Sequence, residues 1–192
     1  WAAKQNSTLT EAIEELFAQA QNMEAIAEFN FLGNRNNEQL KKLGKGELRK
    51  LRESGKEKVR ELNVSWIERM SQSKVSPLLE RVCLFWHGHF ACQIKTSFLA
   101  SNQLDTILHP ALGNFKDLVL AIARDPSMIR FLNNQQNKKL KPNENFAREL
   151  MELFTIGRGN YTEHDIKEAA RAWTGGTSNF KGEFVFRPGV HD

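Results

Sequence analysis

Apolar residues recur at helical spacing along most of this chain, and few segments alternate as strands do. In residues 7–21, STLTEAIEELFAQAQ, the positions Ala12, Ile13, Leu16, Phe17 and Ala20 form one stripe, and Thr8 or Thr10 is placed to cap it. A second apolar patch, Ile26, Phe29, Phe31 and Leu32, leads into Gly33-Asn34-Arg35-Asn36-Asn37, which reads as a loop. Residues 38–73 predict one long helix, or two broken near Gly44-Lys45-Gly46 or Ser54-Gly55. Leu48, Leu51, Val59, Leu62, Trp66, Ile67 and Met70 supply its buried side.

The segment 76–95, SPLLERVCLFWHGHFACQIK, opens with Ser76 as N-cap, Pro77 at the first helical position and Glu80 near the first turn. Its apolar residues run nearly all round the helix, the pattern of a central, buried element. Short helices follow at 97–108, at 115–123 with Asn114 as cap, and from Pro126 to Leu132 with Asp125 as cap. Residues 133–143, NNQQNKKLKPN, form a polar loop. Two amphipathic helices joined by Arg158–Tyr161 then make an αα-hairpin over 143–174. Asn143 caps the first of them and Gly157 ends it. Phe180–Arg187 alternates around Lys181-Gly182 and predicts a minor β-hairpin near the C-terminus. The expected architecture is all-α: one irregular multi-helix bundle of six to nine helices across 1–192, with a central buried helix at about 77–95.

Composition narrows the function classes. The 192 residues contain 40% hydrophobic and 26% charged residues, ordinary for a globular chain. No apolar run approaches the ~20 residues of a membrane span, and no signal peptide is visible, although Trp1 is not a natural start. The net charge of +4 is local. Between Glu38 and Arg60 nine Lys or Arg face four Glu, so this segment is +5 and the remainder −1. Any anionic surface would meet this element, but no aromatic interleaves its cations before Trp66, which argues against a single-strand nucleic-acid platform. Cys83 and Cys92, about 13 Å apart on a continuous helix, are too distant for a disulfide.

The candidate chemistry lies in PNENFARELMELFTIGRGNYTEHDIKEAARAWTGG. On a wheel of about 100° per residue, Phe146, Ala147, Leu150, Met151, Leu153 and Phe154 share one arc. Asn145, Arg148, Glu149 and Glu152 share the opposite one. That polar arc is either a solvated face laced by Glu144–Arg148 and Arg148–Glu152 pairs or a buried site with two carboxylates one turn apart. The second helix opens on a box-like Thr162-Glu163-His164-Asp165, and carries His164, Lys167, Glu168 and Arg171 on its polar side. His87 and His89 flank Gly88. Two residues apart on a helix they point about 160° apart, so they cannot share a metal ion without a break there. The Asn-rich loop either satisfies its own backbone or lines a pocket for a sugar or a cation; Lys138, Lys139 and Lys141 favour an anionic ligand instead. No HExxH pair, phosphate loop, nucleophile elbow or dinucleotide fingerprint is present.

The strings LLERVCLFWHGHFACQIK, HPALGNFKDLVLAIARDPSMIRFLNNQQN, KPNENFARELMELFTIGRGNYTEHDIKEAARAWTGG and FVFRPGVHD resemble, in unbroken order from about Glu61, the bacterial family known as domain of unknown function 1800. The resemblance implies no reaction and no cofactor. It implies a longer, mostly helical, exported protein of the periplasm or cell surface, of which this chain is the N-terminal half. It also implies a sulfatase- or phosphatase-like partner encoded nearby. The matching signature polar residues are His87, His89, Asn143, Glu144, Asn145, Arg148, Glu149, Glu152, Glu168 and Arg171. One departure is Gly176, where an aromatic commonly follows the first glycine. Three functions remain in view. The first is a binding or assembly component whose polar cluster is structural. The second is a hydrolase or metal-assisted enzyme using Glu149 and Glu152 with His87 or His89. The third is binding of an anionic surface through the basic 38–60 helix.

Overall fold

The computed structural model describes residues 8–21, 37–72, 76–94, 99–179 and 181–192. The patch at Ile26–Leu32 and the loop from Gly33 to Asn36 lie outside them. The described elements are α1 (Leu9–Gln21), α2 (Asn37–Lys41), α3 (Lys45–Met70), α4 (Pro77–His89), α5 (Leu99–Leu108), α6 (Phe115–Arg124), α7 (Pro126–Phe131), α8 (Glu144–Glu149) and α9 (Glu163–Ala172). A π-helix, Leu150–Thr155, continues α8, and two strands, β1 (Gly176–Ser178) and β2 (Phe184–Phe186), close the chain. The protein is therefore mostly helical with a small antiparallel sheet, as the periodicity predicts.

Local chemistry sets the boundaries. Thr8 and Glu11 cap α1 reciprocally: the Thr8 N–H donates to Glu11 Oε2 at 2.7 Å and the Glu11 N–H to Thr8 Oγ1 at 3.3 Å. The break between α2 and α3 falls at Gly44, whose N–H donates to Glu47 Oε2. No break occurs at Gly55, which lies within α3 and is buried there. Ser76 accepts from the Leu79 N–H, Asn114 from Lys116, and Asp125 from both Ser127 and Met128. The fourth helix is shorter than the expected 77–95, ending at His89, and Phe90 turns inward as a fully buried ring.

One core joins these helices. It includes Leu62 and Trp66 of α3, Leu79 and Cys83 of α4, Leu104, Ile107 and Leu108 of α5, and Leu118 and Ile122 of α6. Met128, Phe146, Leu150 and Phe154 complete it from the later helices. Although α4 packs against α1, α3 and α5, it is not enclosed: Leu84 and Phe85 remain exposed. α1 docks only lightly, burying Ala20 while Ile13, Leu16 and Phe17 stay exposed.

The αα-hairpin packs α8 on α9, with Ala147, Ile166 and Ala170 excluded from solvent. Beyond it β1 pairs with β2 in the register Gly176↔Phe186, Thr177↔Val185, Ser178↔Phe184. Residues after the Trp173 turn thus supply the partner strand. Gly176 needs no side chain, because a Cβ there would sit 3.3 Å from Asn134 Nδ2 and 3.5 Å from the Phe184 ring.

Candidate functional site

The polar signature of the hairpin is tied up in ion pairs that link its two helices. Arg148 of α8 reaches across to Glu163 at the start of α9 with a two-pronged contact, 2.9 Å and 2.7 Å, and holds Glu144 one turn back at 3.2 Å. Such fork-to-fork pairing fixes both angle and distance. Glu152 accepts from the Arg158 guanidinium and from the Tyr161 hydroxyl, the latter at 2.9 Å. Those two hydrogen bonds hold its carboxyl below the usual carboxylate range. The bond to Glu152 raises Tyr161, whose proton is committed to the carboxylate. Glu149 stands apart. It is half-buried, makes no hydrogen bond or ion pair among the described residues, and only adds its charge to the field at Arg158.

The π-helix explains why the two carboxylates part company. Its i→i+5 bonds, such as Ile156 N–H to Met151 O at 3.1 Å, rotate later positions relative to an α-helical wheel. Leu153, expected in the core arc, is 57% exposed, whereas the Glu152 side chain is 14% exposed against the connection to α9. The Thr155 hydroxyl donates to Leu150 O at 2.7 Å, and Gly157 ends the element with φ 78°.

The histidines diverge, as their spacing requires. His87 lies edge-on to Trp66 of α3, ring centroids 5.3 Å apart, and burial lowers its pKa. His89 lies on the other flank, where Nε2–H donates to the Phe154 carbonyl at 3.0 Å, a bond to a backbone group left open at a helix end. Its ring also packs on Phe85 and Phe90. Thus His89 meets the helix that carries Glu152, but through backbone and rings. Among the described residues no three His, Cys, Asp or Glu side chains gather as a metal ion would need.

The Asn-rich loop satisfies backbone groups. Buried Asn137 donates through Nδ2 to Asn134 Oδ1 and Ala170 O, accepts the Asn143 N–H at Oδ1, and takes the Gly175 N–H on its carbonyl. Asn143 caps α8 by accepting from Asn145, and Asn145 donates to Leu132 O. At the far end of α9, Arg171 pairs with Glu168 and with Asp192. Thr174 accepts the Asp192 N–H at 2.9 Å, and the His191 ring donates to Thr174 O. His191 and Asp192 were invisible as partners in the sequence, since the contact spans more than 15 residues.

The sequence placed Glu80 in a first turn and Asp125 as a cap, but did not show that both are buried. Glu80, 2% exposed, accepts from Trp66 Nε1 at 2.9 Å and Arg69 Nε at 2.6 Å, joining α3 to α4. Asp125 is buried beside an open depression lined in part by His109 and Arg124, and burial pushes its carboxyl up to about 6. Both cysteines are free; burial raises Cys83 to about 12 and Cys92 to about 11, so both thiols are protonated at neutral pH. Lys45, Arg49, Lys50, Lys56 and Arg60 of α3 are exposed, and Arg49–Glu53 and Arg60–Glu57 pair along the helix, the arrangement of a solvated face.

Compared with known proteins, the chain matches across residues 1–192 the family described as "Protein of unknown function (DUF1800)". No curated protein matches it, and no solved structure does.

Proposed function

This chain belongs to the DUF1800 family, and we propose that it acts by binding, as an assembly component whose signature polar residues hold its αα-hairpin in shape. The observation that carries this reading is the Arg148 fork. It grips Glu163 on the facing helix and Glu144 on its own, so the central cation of the signature is saturated by two carboxylates. Glu152 is likewise held by Arg158 and Tyr161, and Arg171 by Glu168 and Asp192. The shared-site reading needs a carboxylate hydrogen-bonded to a histidine, and among the described residues neither Glu149 nor Glu152 makes such a bond to His87 or His89. Here His89 is bound to a carbonyl and His87 is packed on Trp66.

The reading is tested with Glu152→Gln. Where an active site stores strain for its chemistry, replacing the strained carboxylate stabilises the protein. A structural one stabilises through its bonds. We expect the variant to melt below wild type, and a higher melting temperature would overturn the assignment. An exported bacterial setting, and a sulfatase- or phosphatase-like partner encoded nearby, rest on the family resemblance. Cell fractionation and co-purification with that neighbour test them.

A further inference from the structure

We propose that the Lys138–Lys141 turn is a binding site for the oxyanion group of a small hydroxylated ligand. The two lysines are partners in an isolated antiparallel bridge: Lys138 N–H donates to Lys141 O at 3.4 Å and Lys141 N–H to Lys138 O at 2.8 Å. Residues directly opposite in such a bridge project to the same side, and like charges placed there repel. Both side chains are exposed, and among the described residues neither ammonium has a carboxylate partner. The backbone is held from relaxing. Buried Asn137 next to Lys138 makes the four bonds described above, and the Lys139 N–H donates to Val190 O at 2.9 Å. The fold therefore maintains an uncompensated pair of positive charges, which a bound oxyanion would neutralise.

The turn forms one wall of an open depression of about 710 Å³, a small-molecule volume, which Gln136, Asn145, Arg148 and the Glu144 carboxylate paired with Arg148 also line. Arg148 is already held by Glu144 and Glu163, so the charge offered to a ligand is that of the two lysines. The Gln136 amide and Asn145 Oδ1 make no internal hydrogen bond among the described residues, and would bind hydroxyls. No aromatic ring lines the depression, so charge and hydrogen bonds, not stacking, would hold the ligand. The inference deepens the binding reading and rests on it, yet its residues lie outside the Glu152 cluster, so the two fail separately.

The test is thermal unfolding with sodium phosphate, sodium sulfate, glucose 6-phosphate, gluconate and, as control, sodium chloride at matched ionic strength. Sulfate and phosphate stabilise folded proteins by exclusion alone, so the readout is the difference between wild type and variant. Without ligand, Lys138→Gln and Lys141→Gln should melt at or above wild type. Each should bind glucose 6-phosphate or gluconate at least tenfold more weakly by calorimetry, while Lys139→Gln binds as wild type does. Oxyanion responses that match in wild type and both lysine variants would overturn the site. Inorganic ions binding as tightly as the hydroxylated ones would overturn the part given to Gln136 and Asn145.

Discussion

Gly175 occupies a position that no side chain fits. Its φ is 83°, and a Cβ there would lie 2.9 Å from the Arg187 carbonyl oxygen and 3.3 Å from His191 Cβ. Backbone, not a flexible side-chain end, is what stands in the way. The Gly175 N–H is also committed to Asn137 O and its carbonyl to the Arg187 N–H. Gly175→Ala should therefore cost about 1–3 kcal/mol in urea unfolding, with the m-value unchanged. Asp125 makes a different residue-scale prediction. It caps α7, yet its second oxygen faces Thr106 Oγ1 at 3.4 Å, and that hydroxyl already donates to Asn102 O at 2.8 Å. One proton cannot serve both acceptors, so the site suits a neutral group. The carboxyl is raised from the usual 3.8 to about 6 by burial. A raised acid favours folding below its unfolded pKa, and that contribution is lost as the pH climbs from about 4 through 6, roughly 3 kcal/mol in all. His109 and Arg124 line the same depression and Cys92 feels the Asp125 charge, so the comparison must isolate one group. Asp125→Asn keeps the cap acceptor and can donate to Thr106. The stability difference between this variant and wild type should grow in favour of Asn between pH 4 and 6.5; a difference that stays flat would show that the carboxyl does not titrate there.

At the scale of elements, the hairpin separates two carboxylates that the sequence grouped together. Glu149→Gln should change stability by no more than about 0.5 kcal/mol, since it breaks no hydrogen bond. Glu152→Gln keeps one acceptor but loses the charge and one of the bonds from Arg158 and Tyr161, and should lower the melting temperature clearly; equal effects of the two would contradict the geometry. The helices themselves were legible because their caps are local: Ser76-Pro77, Asn114, Asp125-Pro126, Asn143 and Thr162 all act as their spacing predicts. The π-helix was not, because a wheel drawn at one fixed angle assigns Leu153 to the core and nothing in LMELFT announces i→i+5 bonding. Nor could periodicity tell that the stripe of α1 would be buried only at Ala20, since a stripe states what could be covered and not what covers it. Of the candidate site, the sequence located the cap residues Asn143 and Thr162. It could not show that Arg148 would leave Glu152 for Glu163, 15 residues further on, because only the angle between α8 and α9 decides that.

The molecule as a whole depends on a contact made far from the signature. The long α3 is mostly solvated and polar, and it joins the core through Leu62, Trp66 and the partly buried Met70. Glu80 locks that junction, taking the Trp66 indole N–H and the Arg69 guanidinium at once from the first turn of α4. The carboxylate is 2% exposed and the Arg69 side chain 13%. Burying a charge pair gains little net stability, but removing one member leaves the other's charge uncompensated at low dielectric. Glu80→Ala should thus cost about 3–5 kcal/mol, a large share of the 5–15 kcal/mol typical of a folded domain. Adding Arg69→Met to it removes the largely buried guanidinium that Glu80 had paired and fills the space with apolar side chain. The double variant should then be more stable than Glu80→Ala alone, whereas independent sites would add their costs. Urea unfolding followed by tryptophan fluorescence reads both variants and Arg69→Met alone. A double variant that loses the sum of the single losses would show that α3 is held by apolar packing alone.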